Sequence, residues 1–242
     1  PLPGPTSFEI ALSASNTYRL AFDSNNTARI TVDHPVAAAR LVLRHHPAPS
    51  ELMLDGKPVR ADRSCDALRP GLNELYRQTE PFRLGAGEHE LVLKAGGGDT
   101  NYFLPVAWVV GDFAIENGAI RTLPRTVGAG PLWKQGLADF TGRVTYTTRV
   151  EIPPHAGKIR LRVNTGGLFT SVTLDGQALG ERAWAPFEWT IPAGLRGKKA
   201  ELKITVSTSV APMFGDWKNP EGAWNKKFWV PPPEARPEIG LL

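Results

Sequence analysis

The sequence predicts an all-β protein of two tandem antiparallel β-sandwich domains of the jelly-roll kind, on three observations. First, 24 glycines and 22 prolines, nearly a fifth of the 242 residues, interrupt the apolar stretches before they reach the length of a bundle helix. Second, several stretches alternate apolar and polar residues, as Leu202, Ile204 and Val206 do in "AELKITVSTS", the period of a half-buried strand. Third, the chain repeats itself. "RLVLRHHPAPSELMLDGKPV" (40–59) aligns without a gap on "RLRVNTGGLFTSVTLDGQAL" (160–179), so that Arg40, Leu41, Leu54, Asp55 and Gly56 recur as Arg160, Leu161, Leu174, Asp175 and Gly176.

Taken in order, "YRLAF" (18–22) and "ARITV" (28–32) read as strands. The first copy of the repeat reads as strand, loop, strand, tight turn, strand. Asp-Gly suits that turn because glycine, and to a lesser extent aspartate, accepts the positive φ that a two-residue hairpin requires. Leu91 and Leu93 alternate in "GEHELVLKAGGG" (87–98), and "FLPVAWVV" (103–110) is an apolar strand. Asn117-Gly118 in "FAIENGAIRTL" (113–123) marks a second hairpin, and the domain boundary is placed between 112 and 130, ahead of a flexible-looking "GAGP" (128–131). "GRVTYTTRVEI" (142–152) is a further strand candidate, and "GKKAELKITVSTS" (197–209), like 87–98, follows a Gly-rich turn with an alternating apolar strand. The expected domains are 1–125 and 126–230, followed by a Pro-rich strap or linker over 231–242. With no initiator Met or signal-peptide pattern in "PLPGPTSFEI", the chain reads as a mature or excised piece.

Composition narrows the function. Cys65 is the single cysteine, so no internal disulfide forms and the compartment stays open. The net charge of +4 is spread over scattered residues whose longest runs are the pairs Lys198-Lys199 and Lys226-Lys227. That pattern argues against nucleic acid as a partner, and the lack of a long apolar run argues against a membrane span. There is no Gly-x-Ser-x-Gly elbow, and Gly96, Gly97 and Gly98 lack the Lys-Ser/Thr of a phosphate loop. Adjacent His45 and His46 would point to opposite faces of a strand and read as ordinary loop residues rather than zinc ligands.

In the second half, Gly142 and Tyr146, then Asp175-Gly176, then Trp184 with Pro186 and Phe187, then Gly197 come in a fixed order. That ordered set, over roughly 130–217, resembles the galactose-binding-like jelly-roll domains of glycoside hydrolases, both the sugar-binding domain of family 2 enzymes and the C-terminal domain of large rhamnosidase-like enzymes. Asp175 stands where those domains usually have Asn, and Thr190 where an acidic residue often follows the aromatic-Pro segment. The resemblance implies a non-catalytic accessory module, secreted or periplasmic in a bacterium, whose partners are a polysaccharide or oligosaccharide and the catalytic domain of a parent enzyme. It implies no cofactor, except a structural calcium ion to which Asp99 or Asp216 would contribute.

Sugar recognition needs aromatic faces against the C–H face of a ring, and amides, carboxylates or guanidinium groups for the hydroxyls. Trp217, Trp224 and Trp229, with Asp216, lie in the polar, Gly- and Pro-containing tail "MFGDWKNPEGAWNKKFWVPPP" (213–233), as a binding platform or as a strap docked on another domain. Trp133 raises the same alternatives, and Tyr102 beside Asn101 sits in a Gly-rich polar loop. Trp108 reads as core. Trp184, on a segment that the resemblance packs against the sandwich, leans towards holding the fold but stays a candidate ligand contact. Two further readings stay open: sandwiches that brace a catalytic domain without binding sugar, and a catalytic glycosidase fragment in which a pair such as Glu181 and Glu188 would do acid and base work.

Overall fold

The computed structural model describes residues 4–44, 51–64, 76–94, 107–137, 140–154, 157–208 and 240–241. The chain divides into two compact units, Ser15–Leu123 and the combination of Pro1–Ala14 with Pro124–Leu242. The unit boundary at 123/124 falls inside the expected 112–130. A sequential division at 125, however, assigns the first strand to the wrong partners: β1 (Ser7–Leu12) pairs with strands of the C-terminal half.

The Ser15–Leu123 unit contains β2 (Asn16–Arg19), β3 (Thr27–Val32), β4 (Val36–Arg44), β5 (Glu51–Leu54), β6 (Lys57–Val59), β7 (Arg63–Ser64), β8 (Tyr76–Gln78), β9 (Phe82–Leu84), β10 (Gly87–Lys94), β11 (Ala107–Gly111), β12 (Phe113–Glu116) and β13 (Ala119–Thr122). One sheet runs β12-β13-β3-β10-β5-β6 and the other β2-β11-β4-β8-β7, with β9 also on β4. Among the described residues of this unit all pairings are antiparallel except β13 on β3. Inward residues of both sheets, among them Ile30, Leu41, Leu91, Val109, Phe113 and Ile120, form one buried cluster, which makes the unit a sandwich. Trp108 is buried as expected, with the Tyr76 ring edge-on at 5.4 Å.

The second unit adds β14 (Thr126–Gly128), β15 (Gly130–Pro131), β16 (Arg143–Glu151), β17 (Arg160–Arg162), β18 (Thr170–Leu174), β19 (Gln177–Arg182), β20 (Glu188–Thr190), β21 (Lys199–Ser207) and β22 (Gly240–Leu241) to β1. Its main sheet runs β14-β1-β16-β21-β18-β19, and β17 pairs with β20. Val144 and Tyr146 of β16, Leu202, Ile204 and Val206 of β21, and Val172 and Leu174 of β18 are buried at every second position. The supposedly flexible 128–131 is held firmly. Gln135 accepts from the Gly128 amide at 2.8 Å and donates to the Gly130 carbonyl at 3.1 Å.

The repeat is structural. The run β3-β10-β5-β6 of one unit has the same order and directions as β16-β21-β18-β19 of the other. Asp55-Gly56 and Asp175-Gly176 make the same turn, with φ of 51° and 72° in one and 50° and 78° in the other. The turn amide donates to Glu90 in the first copy and to Glu201 in the second. Asn117-Gly118 turns between β12 and β13 with φ of 51° and 78°. Where β4 pairs β8, β17 pairs β20.

Candidate functional site

The two copies diverge at the end of the second hairpin away from its Asp-Gly turn. Thr170, at the start of β18, lies opposite Arg182, at the end of β19. Neighbouring strands are about 4.8 Å apart, so Phe169, just before Thr170, and Trp184, two residues after Arg182, leave the same hairpin end. Both are exposed, Phe169 at 41% and Trp184 at 77%. An exposed indole on a short loop is a ready stacking surface.

The loop bearing Trp184 is anchored at both ends. The β18/β19 register shifts after Val172, which lies opposite Gly180 while Thr173 lies opposite Ala178; such an irregularity re-aims the backbone locally. Gly180 then accepts the Trp189 indole N–H at 3.0 Å, and Trp189 is buried at 2%. The Arg182 guanidinium lies 5.5 Å from the Trp189 ring, a cation–π distance, donates to the Glu181 carbonyl at 2.7 Å and reaches the Glu188 carbonyl at 3.4 Å. Arg182 thus closes the loop 183–187 across its base. Within it the Ala185-Pro186 peptide is cis, and the Glu188 amide donates to the Pro186 carbonyl at 2.9 Å.

On the far side of the loop, Glu188 faces β17. Arg162, opposite it in register, donates from Nε at 2.8 Å and from Nη2 at 2.5 Å to Oε1, and Arg160 donates to Oε2 at 3.3 Å. The Arg162 hydrogen bonds, with the charges of both guanidinium groups, outweigh the opposing effect of burial and hold the Glu188 carboxyl below its ordinary value. A general acid needs a raised pKa, the opposite of the direction at Glu188. In the first unit the matching positions are Val42 and Gln78, both buried. Arg162 and Glu188 are therefore additions to the shared framework, whereas Arg160 has a counterpart in Arg40.

The loop opposite is equally well made. Thr165 and Thr170 are fully buried; Thr170 donates to the Leu168 carbonyl at 2.8 Å and accepts from the Thr165 hydroxyl at 3.0 Å, while Gly166 and Gly167 turn the chain at φ of 65° and 84°.

Of the candidate ligand contacts the sequence singles out, this site uses Trp184, and of the two candidate carboxylates Glu188 lies in it as an ion-pair partner of Arg160 and Arg162. The lean towards a packed Trp184 is corrected: its neighbour Trp189 fills the core beneath the loop, leaving Trp184 outside. Trp133 lies elsewhere, on a 3-10 turn over Leu132–Gln135, 37% exposed with the Lys134 ammonium 5.0 Å from its ring centre. Tyr102, Asn101, Asp99, Asp216, Trp217, Trp224 and Trp229 lie outside the described residues, as do His45 and His46. Among the described residues no three His, Cys, Asp or Glu side chains come together as metal ligands, and no helix is long and apolar enough to cross a membrane. Phe169, Arg160, Arg162 and Arg182 escaped the sequence reading. Arg160 was visible only as part of the repeat, and the sole signal for Arg162 was the replacement of Val42 at an aligned position.

No protein-family model and no curated protein matches the chain. Among solved structures it is similar to a rhamnosidase from Novosphingobium sp. PP1Y, with 17% identity, 98% of this chain and 24% of that chain covered, and a TM-score of 0.33. It is also similar to a GH2 beta-galacturonidase from Eisenbergiella tayi bound to galacturonate, with 11% identity, 85% and 38% covered, and a TM-score of 0.20. The chain spans about a quarter of the rhamnosidase. Both likenesses are weak structural resemblances to domains of glycoside hydrolases.

Proposed function

We propose that this chain is a non-catalytic carbohydrate-binding part of a larger, exported glycoside hydrolase, with its sugar platform on the 183–187 loop of the second unit. The observation that carries the reading is Trp184: an indole 77% exposed on a loop fixed at its base by Arg182 and Trp189. A large exposed aromatic held on a rigid base offers stacking area at low entropic cost. Phe169 at the same hairpin end extends the apolar surface, and the guanidinium groups supply donors for ring oxygens. The ordered motif set through Gly142, Tyr146, Asp175-Gly176, Trp184, Pro186 and Gly197 supports a galactose-binding-like jelly roll. Tethered to a catalytic domain, a weak binder raises the local concentration of its polymer.

A brace for a catalytic domain is the second reading, and the exposure of both Phe169 and Trp184 at one hairpin end favours it, since apolar side chains also mark protein interfaces. Titration of the chain with plant, algal and bacterial polysaccharides, followed by tryptophan fluorescence with Trp184→Ala alongside, separates the two. Saturable binding that Trp184→Ala abolishes in a folded protein supports the platform. Silence across the panel, together with self-association relieved by Trp184→Ala, supports the brace.

A further inference from the structure

We infer that the platform around Trp184 takes an acidic glycan, with a uronate carboxylate received by the Arg160–Arg162 pair; this rests on the carbohydrate-binding reading above. Two guanidinium groups, of Arg160 and Arg162, hold the carboxylate of Glu188, and a third, of Arg182, reaches the backbone carbonyl of the same residue. Counting also the exposed Glu181 next to Arg182, the cluster keeps an excess of positive charge. A neutral sugar does not require that excess, whereas a carboxylate completes it.

Geometry supports the assignment. Each guanidinium carries five N–H donors in a planar fork that matches a carboxylate. Arg162 directs two of its donors, and Arg160 one, at Glu188, and their side chains are otherwise 81% and 59% exposed. Glu188 orients the pair by fixing one edge of each guanidinium, leaving the other edge towards solvent. Trp184 is tied to the same group by four residues of chain, which keep its Cα within about 14 Å of that of Glu188, a reach that a short oligosaccharide covers. Arg182 is clamped by the Glu181 and Glu188 carbonyls and the Trp189 ring, so the base of the Trp184 loop is fixed before a ligand arrives. In the first unit Arg40 aligns with Arg160, but the position of Arg162 is the buried Val42; the second arginine, which completes the pair, is no requirement of the sandwich.

The test compares polygalacturonate, its fully methyl-esterified form, alginate and polyglutamate as probes of the full chain by titration calorimetry. Either uronate polymer should bind at least about tenfold more tightly than the ester, and the difference should collapse near 1 M salt, where charges are screened beyond about 3 Å. The double variant Arg160→Gln/Arg162→Gln should erase the preference for acid over ester while Trp184→Ala removes binding to both. Equal affinity for acid and ester, a preference that survives the double variant, or binding to polyglutamate as tight as to the uronates overturns the inference while leaving the platform standing. If the uronates and the ester all fail to bind a chain that melts cooperatively, and neutral glycans fail as well, the platform reading itself falls.

Discussion

His89 and Asp55 form a bridge between β10 and the first Asp-Gly turn: imidazole Nδ1 lies 2.7 Å from Asp55 Oδ2, while Nε2 faces the Gly85 carbonyl at 3.0 Å. Both partners are acceptors, so the species that satisfies both ring nitrogens is the doubly protonated imidazolium. The other Asp55 oxygen takes the Glu90 amide at 2.9 Å.

The bridge makes the stability of the Ser15–Leu123 unit depend on pH. Burial lowers the imidazole pKa, but the Asp55 hydrogen bond, the Gly85 carbonyl and the charges of Asp55 and Glu88 outweigh it and raise His89 above its ordinary 6.5. Burial raises the Asp55 carboxyl, yet the His89 and Glu90 bonds with the charges of His89 and Lys57 bring it below its ordinary 3.8. The raised His89 stabilises fully below 6.5 and loses its effect as pH climbs through its folded pKa. The depressed Asp55 stabilises above 3.8 and loses its effect as pH falls through its own. The bridge is therefore strongest between those limits. Thermal midpoints should fall from about pH 5 to about pH 8 by an amount worth no more than about 1 kcal/mol, because Asp55 is nearly half in water. His89→Gln should remove that part of the slope; an unchanged slope would refute the bridge.

The first strand is a structural part of the second unit. β1 lies between β14 and β16, and Phe8, 3% exposed, meets the Tyr146 ring edge-on at 5.8 Å. Phe8→Ala should cost about 3–5 kcal/mol in denaturant melts of that unit. A chain starting at residue 126 should lose the cooperative transition, since it exposes the β16 ladder and the Tyr146 face together. A cooperative melt of that shortened chain would contradict the assignment.

The two Asp-Gly turns should respond alike. A Cβ at Gly56 or Gly176 meets nothing within 4 Å, so Gly56→Ala and Gly176→Ala test backbone conformation without a clash. Placing alanine at positive φ should destabilise each unit by roughly 1–2 kcal/mol, measured by urea unfolding. A neutral result in either copy would show that the turn relaxes to another type.

Trp184 and Trp189 should separate stability from surface function. Trp189→Ala empties a buried site and strands the Gly180 carbonyl, at about 3–5 kcal/mol. Trp184→Ala should change stability by less than about 0.5 kcal/mol. Acrylamide-quenchable tryptophan fluorescence should fall in Trp184→Ala, as expected of an indole 77% exposed; an unchanged quenchable fraction would contradict its exposure.

The repeated "LDG" fixed the strands on either side, because two residues at positive φ leave the chain little choice but a tight hairpin, and the alternation in 199–207 fixed which side chains face the core. These are local matters of backbone conformation and period, which a sequence carries openly. The expected boundary near 112–130 also follows from local punctuation by Asn117-Gly118 and the glycines after it. Membership of Ser7–Leu12 in the second unit does not, because strand pairing across more than a hundred residues leaves no local mark. The site was hidden for the same reason. Trp184 and Trp189 stand in equivalent polar-apolar surroundings in the sequence. Only the tertiary structure, by sending the Trp189 indole to the Gly180 carbonyl and setting Arg160 and Arg162 across from Glu188, decided which tryptophan fills the core and which faces the solvent.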